Sequence, residues 1–130
     1  MSYYFSKILV GCSFEEAVQK VTAELKKEGF GVLTEIDVKE TFKNKLDLDF
    51  KKYKILGACS PQSAYDALQL EDKVGVFLPC NIVVEEHESG GIEVSSIDPV
   101  ALMISVNNEA LVCISTDVRK KLQKVINGVN

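Results

Sequence analysis

Apolar residues recur along the chain in short segments whose spacing separates strands from helices. The first, Tyr3–Val10, is centred on Lys7-Ile8-Leu9-Val10 and ends at Gly11, which predicts a strand. Ser13-Phe14-Glu15-Glu16 then has the form of a capping box, with Ser13 at the N-cap and Glu16 three residues on. Phe14, Ala17, Val18, Val21 and Leu25 follow on one helical stripe, Lys26 and Lys27 suit the negative end of the helix dipole, and Gly29 closes the element. Phe30–Val38 alternates as a second strand, and Asp37 or Thr41 caps a short helix through Phe42 and Leu46.

Tyr53–Ala58 reads as a third strand, ending at Gly57. Ser60-Pro61 opens a helix, with Ser60 as N-cap and Pro61 at the first helical position, where its missing N–H costs nothing. Ala64, Tyr65, Ala67 and Leu68 carry that helix to about Glu71. Val74–Leu78 is a continuous apolar run broken by Pro79. Cys80–Glu88 alternates as a fourth strand and pairs with Ile92–Ile97 across Ser89-Gly90-Gly91, whose glycines supply the positive φ of a tight hairpin. Asp98-Pro99 repeats the cap-plus-proline start for a short helix through Ala101, Leu102 and Met103. After a turn at Asn107-Asn108, a last helix is expected from Thr116 or Asp117 through Val118, Leu122, Val125 and Ile126.

The order β-α-β-α-β-α-β-β-α-α, with a hairpin and uneven strand spacing, argues for an α+β fold. The expected sheet is antiparallel or mixed, with helices packed on it. The 130 residues suit a single domain, 1–130, and a composition 46% hydrophobic and 26% charged allows a full core. A net charge of −4, from 15 basic and 19 acidic residues mixed along the chain, argues against a nucleic-acid or anionic-membrane surface. No apolar stretch approaches the length of a membrane span and no signal-peptide pattern opens the chain, so a cytoplasmic location is expected.

Candidate chemistry is sparse. The chain has no G-x-S-x-G, P-loop or H-E-x-x-H motif, and Gly29-Phe30-Gly31 leads into a strand rather than a helix. His87, the lone histidine, is expected exposed in an acidic hairpin beside Glu85, Glu86 and Glu88, where it could make at most a weak surface metal contact. Asp47 and Asp49 lack the further oxygen ligands of a calcium loop. Four cysteines without a C-x-x-C pair are expected to be free thiols, and Cys12 and Cys113 to be buried packing residues. Cys59 stands immediately before a helix start, where the dipole favours a thiolate. Cys80 lies between Pro79 and Asn81, an amide able to donate and accept. If the third and fourth strands are neighbours, both thiols come to the same end of the sheet.

Gly57-Ala58-Cys59-Ser60-Pro61, Leu78-Pro79-Cys80-Asn81 with Val83-Val84, and Ile97-Asp98-Pro99 occur in that order, and the stretch from Gly31 to Leu46 precedes them. Together they resemble the small bacterial and archaeal proteins of domain-of-unknown-function family 302, over about Phe5 to Ile126. Ser60 stands where that family often has asparagine. The resemblance implies a TATA-binding-protein-like β-α-β4-α core with extra helices and a homodimer. It implies neither DNA binding nor a reaction.

These residues lead to a homodimeric domain holding a small ligand or a soft metal in a pocket of Cys59, Ser60, Cys80, Asn81 and Asp98. In it the thiols would be soft contacts, Ser60 and Asn81 hydrogen-bond donors, and Asp98 a contact or simply an N-cap. A second reading is a thiol-dependent redox protein or enzyme, with Cys59 as nucleophile and Cys80 as its resolving partner. A third is an interaction protein whose cysteines only pack. No catalytic residue, cofactor or metal identity is assigned by the residues alone.

Overall fold

A computed structural model describes residues 2–130. Along the chain come β1 (Tyr4–Leu9), α1 (Phe14–Lys27), β2 (Gly31–Asp37), α2 (Val38–Leu46), β3 (Tyr53–Cys59) and α3 (Pro61–Leu70). A 3-10 turn at Asp72–Phe77 leads to β4 (Cys80–Glu86), β5 (Ile92–Ile97) and α4 (Pro99–Val106). A second 3-10 turn at Glu109–Leu111 runs into α5 (Val112–Gly128). The five strands lie in the order β1-β5-β4-β3-β2 and every neighbouring pair is antiparallel. This is an α+β fold. β2 to β5 form a continuous meander, and β1 closes its far side by pairing with β5.

Both faces follow from strand alternation. Leu9, Leu56, Ala58, Ile82, Val84, Ile92 and Val94 turn to one side and are buried. They meet the stripes Phe14, Ala17, Val21 and Leu25 of α1 and Val118, Leu122, Val125 and Ile126 of α5 in one core. Removing the Val, Leu, Ile and Phe side chains among them from water stabilises the fold by about 1.5–3 kcal/mol each. The α1 start is fixed as its sequence requires: Ser13 Oγ accepts from the Glu16 N–H at 3.1 Å, and Glu16 Oε1 accepts from the Ser13 N–H at 3.0 Å. A smaller cluster of Ala67, Val74 and Leu111 gathers Leu78, Met103 and Val106 where α3, α4 and α5 meet. Ile114 packs against both clusters.

Three local expectations change. α5 begins at Val112, about one turn before the expected start. Asn108 is the reason: its side chain accepts from the Ala110 N–H at 3.0 Å and starts a turn that passes straight into the helix. Cys113 consequently lies on a helix and is exposed, not buried at the end of a strand. His87 is half-buried rather than solvent-exposed, because its ring folds back onto Glu93. No helix among the described residues is long and apolar enough to cross a membrane.

Candidate functional site

Because β3 and β4 are antiparallel neighbours, the end of one meets the beginning of the other. Ala58 is opposite Cys80 and Gly57 opposite Asn81. Cys59 ends β3, Ser60 is the N-cap residue of α3, and Pro61 occupies the first helical turn. Pro79, joined to Leu78 by a cis peptide bond, leads into β4. Gly57 is needed where it stands, since a Cβ there would overlap the Thr34 hydroxyl and come to 2.7 Å from the Pro79 ring. The glycine of one motif and the proline of the other are thus two halves of one packing contact.

A cleft opens beside this junction. Its cavity volume is about 50 Å³. Cys59, Ser60 and Cys80 line it with Ser63 and Ala64 of α3, Met103 of α4, and Ile114 and Ser115 of α5. None of the described lining residues carries a charge; the polar groups are serine hydroxyls and thiols. Burial, with a smaller contribution from nearby Cys59, pushes the Cys80 thiol from an ordinary 9.0 up to about 11. Near neutral pH Cys80 is therefore a protonated thiol, a soft and nearly apolar contact.

The Ser60 hydroxyl makes no bond to the α3 backbone and instead donates to Ser63 Oγ at 3.3 Å. It remains available to the cleft. All four cysteines are free thiols.

The other two expected residues lie elsewhere. Asn81 follows Cys80 by one position and so faces the opposite side of the sheet, exposed, near Tyr53 and Val83. Asp98 is buried, but its carboxylate is already engaged. Oδ1 accepts from the Val100 N–H at 3.0 Å as the α4 N-cap, and Oδ2 accepts from Arg119 Nε at 3.0 Å. Its neighbour Pro99 lines the cleft and Asp98 does not. The residues unforeseen from sequence are the apolar ones: Phe30, Val74, Met103, Leu111 and Ile114 complete the wall from four separate segments. Their only sequence signal was hydrophobicity, which a core residue shares.

The family model for the domain of unknown function DUF302 matches residues 7–129. The chain belongs to this family. Among solved structures it is similar to the crystal structure of an uncharacterized conserved DUF302 protein from Bacillus stearothermophilus. That match has 31% sequence identity, covers 100% of both chains and gives a TM-score of 0.92. No curated protein matches. Cys59, Ser60 and Cys80, which line the cleft, lie within the matched range.

Proposed function

We propose that this DUF302 protein is a homodimeric binding domain that takes a small, uncharged and largely apolar molecule into the cleft beside Cys59, Ser60 and Cys80. One observation carries the reading: an open cleft, apolar throughout except for hydroxyls and thiols, at the junction of β3, α3 and β4. Ligand sites are commonly of this kind, an apolar wall with a few convergent polar groups that fix orientation. The Ser60 and Ser63 hydroxyls supply hydrogen bonds at the mouth, and the two thiols supply soft contacts. Asn81 and Asp98 fall outside the cleft and have no part in this reading.

The soft-metal reading has its donors in the two thiols and the Met103 thioether. A metal would first have to displace the Cys80 proton, which burial retains up to about 11. The same retention weakens the redox reading, since a resolving thiol attacks as a thiolate. The family resemblance is the support for the homodimer. Free thiols suit a reducing, cytoplasmic setting.

The test uses indole as a neutral apolar probe, followed by backbone amide shifts. Saturable shifts confined to the α3 start, the β3–β4 junction and α4 are expected, and Ala64→Leu, which fills the cleft, should abolish them while the melting temperature holds. Absence of saturable shifts, or equal shifts in the filled variant, overturns the reading. Light scattering at twice the chain mass checks the dimer.

A further inference from the structure

On the helix-free face, Glu85 of β4 and Glu93 of β5 stand directly opposite one another. Like charges in facing positions of an antiparallel pair repel, so something must compensate them. His87, just beyond β4, turns its ring back so that Nε2 lies 2.8 Å from Glu93 Oε1. From the other side, Lys51 Nζ donates to Glu85 Oε1 at 2.7 Å. One ligand atom from each of Glu85, His87 and Glu93 falls within 4.8 Å of the other two. Their side chains keep only 17%, 35% and 21% of their exposure, which limits the freedom that usually makes surface carboxylates poor ligands.

We propose that Glu85, His87 and Glu93 form a binding site for a divalent first-row transition metal of the zinc type. Rotamer adjustment at the two glutamates brings the donors to the separation of about 3.3 Å that bonds of about 2.0–2.2 Å require. The imidazole distinguishes this cluster from an acidic patch. Magnesium and calcium take oxygen ligands, whereas one imidazole with two carboxylates suits zinc, cobalt or nickel.

A groove passes directly over both carboxylates, lined also by Tyr3, Tyr4, Tyr53, Asn81 and Ser95. Three protein ligands leave at least one coordination position, and the groove gives a small exogenous ligand or water access to it. This is the layout of a metal site with an open position rather than of a closed structural one. Lys51 competes for Glu85, so the site trades an ammonium for the metal.

The experiment titrates the untagged full chain with Co²⁺, whose visible d–d absorption reports its ligands, and then displaces it with Zn²⁺. One Co²⁺ per chain is expected, without the near-ultraviolet charge-transfer band of a thiolate ligand. His87→Ala and Glu93→Gln should each lose saturable binding while keeping the wild-type circular dichroism, and Lys51→Met should bind more tightly. If one of the ligand variants does not fold, the other decides. No saturable uptake at millimolar Co²⁺ overturns the proposal, as does uptake unchanged in the folded ligand variants. A thiolate band lost in Cys80→Ala would place the metal in the cleft and overturn it equally.

Discussion

The two faces of this sheet are built from the same five strands and carry opposite chemistry. Cys80, Ile82 and Val84 of β4 turn toward the helices, into a dry interior where a thiol is held protonated. Asn81, Val83 and Glu85, interleaved with them, turn toward a groove of tyrosines, hydroxyls and carboxylates. A shift of one residue changes the solvent a side chain meets, because the side-chain period of a strand is two. Asn81 and Cys80, adjacent in one motif, therefore cannot serve one pocket.

The sharpest way to break this comparison is to truncate neighbours in β4. Ile82 is fully buried, opposite Leu56, while Val83 is half-buried on the other face. Ile82→Ala should cost about 2–5 kcal/mol, the lost transfer energy plus the cavity left behind. Val83→Ala should cost less than about 1 kcal/mol. Urea denaturation measures both. Equal losses would mean that the second face is covered as completely as the first, as a tight dimer through that face would require.

The next largest effect concerns the thiol. The Cys80 pKa is raised in the folded chain, so the neutral form is favoured by folding. That stabilisation is complete below the ordinary value of 9.0 and is lost as pH rises through about 11. A shift of this size corresponds to about 2–3 kcal/mol across the window. Lysines titrate there too, so the difference between the wild type and Cys80→Ala isolates the thiol. The variant should lose less stability between those pH values, and parallel curves would show that Cys80 meets water.

Much of this arrangement was legible before the structure, for identifiable reasons. The Ser13–Glu16 capping box, the α1 stripe and the Gly90-Gly91 hairpin are local devices whose partners lie within a few residues, so sequence spacing exposes them. That Cys59 and Cys80 come to the same end of the sheet followed from the adjacency of β3 and β4. What stayed hidden depends on distant partners. Nothing near Asp98 announces Arg119, which lies 21 residues on and takes up the carboxylate. The Glu85–His87–Glu93 cluster is local in sequence, but its geometry needs the register that sets Glu85 against Glu93. The early start of α5 rests on the Asn108 turn, whose asparagine also bonds back to the Leu70 carbonyl from 38 residues away.

The smallest effect separates the two Xaa-Pro helix starts, Ser60-Pro61 and Asp98-Pro99. They look alike in sequence and differ in what the capping side chain does. Asp98 accepts from the Val100 N–H and from Arg119, so Asp98→Ala removes a cap and leaves a cation without its partner. Loss of about 1–2 kcal/mol is expected, most of it from the cap because Arg119 is substantially exposed. Ser60 caps no backbone group, and its only described hydrogen-bond partner is the Ser63 hydroxyl, so Ser60→Ala should change stability by less than about 0.5 kcal/mol. Thermal unfolding of the pair measures this. The same Ser60→Ala protein then tests the cleft, because a hydroxyl that does nothing for the helix is free to act on a ligand. Weaker binding of a neutral probe that carries a hydrogen-bonding group, at unchanged stability, would assign Ser60 to recognition. Unchanged binding would leave the cleft a purely apolar receptor.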